Sequence, residues 1–444
     1  MVLPPPSTAP KTRKHLSADA LHRLLRAEFF KIPDHRGNAV IALPDALLSA
    51  FALFSLKDPS LLAFDARRSD ENLKALYGIH QVPCDTRMRE ILDPLDPDCL
   101  RPAFNAVFRQ LQRGKALEPM AFYQGCYLLA LDGTGYFSSP TIHCESCLEK
   151  KNSKTGAVTY AHQMLGACLV HPDFREVIPL APEPIIKQDG TTKNDCERNA
   201  AKRLLRKIRH EHPHLSLIIV EDGLASNAPH IRELLDLEMH FILGVKPGDH
   251  GFLFNKLIAA YDQDQVTAIH GRTQDNRPYD LAFLNGLPLN ESNQDLLVNF
   301  LQYTERDENG EPVKRFSWVT DFTLTKQNAH KLVRGGRARW KIENETFNTL
   351  KNQGYQFEHN FGHGKQNLSV VFAMLMLLAF LVDQAQQLCC PLFRATWQRF
   401  GSKRMLWDNL RSHFRHFVFE SMRHLYEVML LGLGKERRLL DDTS

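Results

Sequence analysis

Apolar positions recur at helical spacing through the N-terminal quarter of the chain. In "SADALHRLLRAEFFKI" they follow Ser17, a residue type that caps helices, and the pattern continues in "LPDALLSAFALFSL" and "DENLKALYGI". "DTRMREILDPLDPDCLRPAFNAVFRQLQRG" offers Asp85 or Thr86 as a cap, breaks at Asp93-Pro94 and then resumes as a longer helix. Residues 17–120 are thus expected to be helical. Such a cluster serves equally as a DNA-docking domain or as a scaffold packed on the rest of the protein.

Near residue 124 the period changes. "CYLLALDGTGYFSS" runs apolar and stops at Asp132-Gly133, "TYAHQMLGACLVHP" alternates, and "EVIPLAPEPI" reads as a third strand punctuated by proline. "KNDCERNAAKRLLRKIRHEHP" is a helix with Asp195 as its expected cap and Ala200, Leu204, Leu205 and Ile208 along one face. "LSLIIVEDGLASN" is a buried strand ending at Asp222, followed by the helix "APHIRELLDLEM" and the strand "HFILGVKPG". The order β-β-β-α-β-α-β predicts a mixed sheet with helices on its faces over residues 121–248. Residues 249–322 turn polar, with an Asn309-Gly310 hairpin signal, and read as a β-rich insertion.

Helix is expected again from about Lys326, through "RARWKIENETFNTLKNQGY", so that residues 323–390 complete the α/β unit. The apolar run from Val370 to Val382 has 13 residues, short of the ~20 that span a bilayer, and reads as a buried core helix; no membrane partner is expected. Residues 391–444 read as a helical, basic tail, and residues 1–16, proline-rich and basic, as a disordered arm.

Composition adds limits. A chain of 444 residues is long for one core. A net charge of +4 does not by itself mark a nucleic-acid binder, so any such role rests on local clusters such as the basic helix after Asp195. The N-terminus lacks the apolar stretch of a secretory signal, and the nine cysteines lack the spacing of a disulfide framework, which together read as reduced and cytosolic. His143, Cys144 and Cys147 have zinc-knuckle spacing, but no second pair is nearby; His162, Cys168 and Cys196 are the remaining candidates. Structural Zn²⁺ is therefore the minor expectation, and incidental cysteines the main one.

Three acids stand out. Asp132 and Asp222 each close an apolar strand and precede glycine, the strand-tip position that opens onto a crevice in α/β sheets. Two carboxylates that close repel unless a cation separates them, and hard oxygen ligands suit Mg²⁺ or Mn²⁺. Glu343 falls on the helical stripe of Arg339, Trp340, Phe347 and Leu350, which would press onto the sheet edge and carry it to the crevice. Glu345 points about 200° away and reads as half of an exposed ion pair.

"LALDGTGYF", "IIVEDGLASN" and "RWKIENETFNTLKNQGY", in this order, resemble the DDE transposases of bacterial insertion sequences. The resemblance covers roughly residues 120 to 385. It implies a ribonuclease-H-like mixed sheet with flanking helices, carrying a β-strand insertion between the second and third acids, beside the helical N-terminal domain and helical tail. It further implies that Asp132, Asp222 and Glu343 are catalytic ligands of Mg²⁺ or Mn²⁺, and that the substrate is double-stranded DNA, bound by a homodimer. Arg339 and Lys351 are expected at phosphates. By its own residues, "EHNFGHGKQNL", with His359, His363 and Lys365, reads either as a backbone turn that offers His363 to phosphates or as a simple helix–helix connection. The usual helix signature, Tyr-x2-Arg-x3-Glu-x6-Lys, is met at Arg339 and Glu343 only. Gly336 replaces the Tyr, Leu350 replaces the Lys, and Lys351 comes one place late, which leaves Glu345 as a minority alternative for the third acid. A domesticated DNA-binding protein and a nuclease that cuts without joining are the competing functions.

Overall fold

The computed structural model describes residues 15–187 and 194–432; the expected N-terminal arm lies almost wholly outside them. The helical start comprises α1 (Ala18–Phe29), α2 (Leu43–Ser55), α3 (Leu61–Asp65), α4 (Glu71–Tyr77), α5 (Asp85–Leu92) and α6 (Arg101–Arg113). Ser17 caps α1 by accepting the amide of Ala20. Helix α2 is apolar all round, because it is packed between its neighbours and a long helix from the other end of the chain.

The sheet follows. Strands β1 (Tyr127–Ser139), β2 (Leu148–Lys151), β3 (Val158–Val170), β4 (Ile178–Pro179) and β5 (Glu183–Ile185) precede α7 (Glu197–Glu211), β6 (Leu217–Glu221), α8 (Ala228–Asp236) and β7 (His240–Gly244). Then come α9 (Gly251–Asp262) and β8 (Thr267–Arg272), β9 (Pro278–Asn290), β10 (Asn293–Arg306) and β11 (Pro312–Thr320). The strand order is β2-β3-β1-β6-β7-β11-β10-β9-β8, with β4 and β5 also on β3. β1, β6 and β7 are parallel to one another, and their flanking partners are antiparallel. All five residues of β6 are buried, as a central strand covered on both faces requires. This is a mixed, ribonuclease-H-like α/β core with flanking helices and helical ends. The β8–β11 meander extends the same sheet beyond β7.

Two local expectations are corrected. The polar stretch after residue 249 opens with helix α9, not strand. Asp195 does not cap α7: Cys196 holds the cap position, and Asp195 pairs with Arg203 at 2.7 Å.

The chain ends in α10 (Ala329–Arg337), a π-helical turn (Ile342–Phe347), α11 (Asn348–Asn352), α12 (Leu368–Cys389), α13 (Pro391–Phe400), α14 (Lys403–His416) and α15 (Met422–Leu431). α12 is long and apolar enough to cross a membrane, yet it is buried within the protein, where α1, α2, α5 and α6 pack on it. N-terminal helices and sheet thus share one hydrophobic core.

Candidate functional site

Asp132 lies in the middle of β1 rather than at its end, because β1 continues along β3 to Ser139. Only its parallel pairing with β6 stops here, with Ala130 opposite Val220. Two residues beyond this pair stand Asp132, still within β1, and Asp222, just past the end of β6. Asp222 starts the turn after β6: its Oδ1 accepts the amide of Leu224 at 3.0 Å, so it is also a turn residue. The turn is held by Ser226, whose hydroxyl donates to the Gly244 carbonyl at 2.5 Å.

Glu343 comes from the π-helical turn, an irregularity frequent at functional sites. Ile342 and Phe347 are buried in the turn, and Glu343 is exposed. Its charge reaches Asp132. Burial pushes the Asp132 carboxyl up, Arg339 opposes this, and Glu343 and then Asp222 push it further up. Arg339 Nη1 donates to Asp132 Oδ2 at 3.2 Å. The structure therefore places Asp132, Asp222 and Arg339 at one locality, with Glu343 near enough for its charge to act on Asp132.

The remaining expected residues are placed elsewhere. Glu345 leaves the turn toward Arg175, at 3.3 Å. Trp340, expected to press on the sheet, is 45% exposed. Lys351 pairs with Glu358 at 2.9 Å, within its own neighbourhood. His363, expected at a phosphate, is buried with its Nε2 3.3 Å from Cys147 Sγ, so its ring is not offered to DNA. His143 stacks on Tyr160, Cys168 is buried against Thr346, and Cys196 is exposed at the start of α7, so none of these three lies beside the Cys144–Cys147 pair.

The departures from the helix signature have steric causes. A side chain on Gly336 would start 2.6 Å from the Trp318 indole, which leaves no room for tyrosine. Leu350 is fully buried, where a lysine would be an unpaired charge.

One acid escaped the sequence reading. Glu197, at the start of α7, has its carboxylate against Gly133, and the surrounding protein, then Asp132 and Asp222, push it up. An acid in the first turn of a helix was the available signal. Glu197, Asp132 and Asp222 line one cavity of about 280 Å³, which also holds the buried Glu221–His230 pair, 2.6 Å apart. On its other side Asp222 borders a second groove of about 390 Å³, lined by Lys246, Arg315, Arg337, Arg339 and Trp340.

The arrangement is acid-rich at its centre and cationic along one flank, as metal-assisted phosphodiester chemistry needs. No curated protein sequence matches the chain significantly. A family model described as transposase DDE domain matches residues 141–381, which include Asp222 and Glu343 and begin just after Asp132. Because this match spans more than half of the sequence, the chain belongs to the transposase DDE domain family.

Proposed function

We propose that the chain transposes its own insertion element, cutting DNA at the element's ends and joining the freed 3′-OH to target DNA by in-line transesterification. The observation that carries this reading is the cavity shared by Asp132 and Asp222, with Arg339 on Asp132 and the charge of Glu343 acting on the same carboxylate. In this reading residues 121–248 and 323–390 form the catalytic unit, 249–322 is inserted into it, and 17–120 braces it.

The donor set fits Mg²⁺ or Mn²⁺. The ligands are hard carboxylate oxygens, and Asp132 and Asp222 line one cavity that a divalent cation could enter. Asp132, Asp222 and Glu343 would hold the ions, with Glu197 beside them. When bound, two such ions activate a water or 3′-OH and stabilise the leaving oxygen.

The protein's own residues do the rest. Arg339, next to Asp132, holds a phosphate oxygen at the same crevice. Lys246, Arg315 and Arg337 receive the neighbouring backbone phosphates along the groove. The exposed Trp340 ring offers a flat face to a base among these cations. Such chemistry forms no covalent protein–DNA bond, so no serine or tyrosine nucleophile is required. Two copies on DNA would bring two ends together.

A plasmid carrying the element's ends tests this in Mn²⁺ or Mg²⁺. The wild type is expected to nick and join, and Asp132→Asn to bind DNA without nicking. A wild type that binds and never nicks identifies a domesticated binding protein. One that nicks without joining identifies a nuclease.

A further inference from the structure

Four side chains that no step above uses converge away from the carboxylates. Cys144 and Cys147 come from the β1–β2 connection, His162 from β3, and His363 from the loop between α11 and α12. Their ligand atoms all lie within 4.8 Å of one another. Cys144 Sγ is 3.8 Å from Cys147 Sγ, nearly twice the ~2.05 Å of a disulfide. His162 Nε2 lies 3.3 Å from Cys144 Sγ and 3.4 Å from Cys147 Sγ, and His363 Nε2 lies 3.3 Å from Cys147 Sγ.

We propose that Cys144, Cys147, His162 and His363 form a structural Zn²⁺ site. Tetrahedral zinc with Zn–S ≈ 2.3 Å and Zn–N ≈ 2.0–2.1 Å has S···S edges of about 3.8 Å and S···N edges of about 3.6 Å, close to the separations found. Hydrogen bonds alone account poorly for the cluster. Cys147 Sγ has three neighbours and one proton to give, and His162 Nε2 faces two sulfurs. A single cation satisfies all four groups. Two thiolates, two neutral imidazoles and Zn²⁺ sum to zero charge, which suits a place where Cys147, His162 and His363 are buried.

The surroundings are built to hold these positions. Tyr136 stacks on His162 and Phe137 packs on His363. The His363 loop is fixed at its far end by Asp93, whose carboxylate accepts the amides of Lys365, Gln366, Asn367 and Leu368 at 2.8–3.1 Å. Gly364, at φ +68°, makes that turn, and a side chain there would strike Asp93. The amide of Glu145 also donates to the Lys365 carbonyl at 3.1 Å, joining the cysteine loop to the histidine loop. The ion would tie the segment following the Glu343 turn to β1 and β3, closing a chain loop of about 200 residues between its two histidines. The sequence hides the set because His363 lies that far from its partners.

Metal analysis of the full-length protein, purified without chelator and dialysed, tests the proposal. The wild type and Asp132→Asn are expected to carry about one zinc ion per chain, and Cys147→Ser and His363→Asn less than about a tenth of that. If those variants fail to fold, the wild type alone decides. Mercurial modification of its thiols should release the zinc to a chromophoric chelator, and Co²⁺ exchanged into it should show thiolate charge-transfer and tetrahedral bands. A zinc-free wild type, zinc retained in Cys147→Ser, or zinc lost in Asp132→Asn overturns the assignment. These readouts need no DNA, so they stand apart from the outcome for transposition.

Discussion

The ring of Phe347 occupies the space that a side chain on Gly166 would need: a Cβ there would sit 2.9 Å from the ring. Gly166 is the register partner of Asp132 across β1 and β3. The bare backbone at 166 is therefore what lets the π-helical turn settle against the sheet, with the Glu343 charge within reach of Asp132. Gly166→Val should push Phe347 out and separate the acids. The expected outcome is loss of DNA nicking by at least about tenfold, since small misplacements of reacting groups cost ~10²-fold, while DNA retention on a filter persists.

Glu343 and Glu345 are separable by the same geometry. Glu343→Gln removes a carboxylate whose charge acts on Asp132 and should abolish nicking. Glu345→Gln removes its ion pair with Arg175, whose side chain is 60% exposed, and its pull on Lys341 and Lys403; it should cost about 1 kcal/mol of stability with nicking retained. Parallel nicking assays and melting curves of the two variants check this, and equal loss of nicking would reassign the third acid.

The groove beside Asp222 makes a salt-dependent prediction. Replacing Lys246 or Arg315 by alanine should weaken binding to any DNA sequence and lower the salt slope of the affinity by about one unit each. Titrations at several salt concentrations measure it, and an unchanged slope would place the DNA elsewhere.

What the sequence disclosed follows from locality. β6 was legible as an unbroken apolar run and the Asp-Gly step at 222 as the turn that ends it, whereas the step at 132 was read as a strand end because the further pairing of β1 with β3 is not local. The face of α7 was legible from Ala200, Leu204, Leu205 and Ile208, all buried. The π-helical turn was not, because it replaces the 100° step on which Trp340 was assigned to the packing stripe. Helix α9 was hidden by its polar neighbours, and Glu197 by its ordinary place in a helical first turn. His162 was weighed as a partner for Cys144 and Cys147, whereas the convergence with His363 depends wholly on tertiary structure.

The N-terminal helices are bound to the rest through charge as well as packing. Lys57 pairs with Asp383 of α12 in the core, lies 3.9 Å from the centre of the Trp407 ring, and shares Asp383 with the Tyr355 hydroxyl at 2.5 Å. Burial lowers the Lys57 ammonium, and Asp383 holds it up. Lys57→Met leaves Asp383 buried and uncompensated and should cost about 3–5 kcal/mol, whereas Lys57→Met with Asp383→Leu should recover most of it. Urea denaturation midpoints of the single and double variants give the answer.

His22 sets a pH dependence of stability. The ring is buried in α1, stacked 4.6 Å from Tyr77, with Nδ1 3.4 Å from the Leu76 carbonyl. Burial lowers it to about 4 from 6.5, against an opposing pull from Asp19. Above pH 6.5 neither folded nor unfolded chain holds the proton, so His22 has no effect on the balance. As the pH falls from 6.5 toward 4, the unfolded chain takes up a proton that the folded chain refuses, and stability drops. The loss is about 1.4 kcal/mol per pH unit, roughly 3 kcal/mol across the window. His22→Phe, which keeps a ring against Tyr77 but cannot titrate, should flatten this part of the curve. Unfolding free energies of both proteins between pH 4 and 7 measure the difference, and parallel curves would show that His22 is protonated equally in the two states.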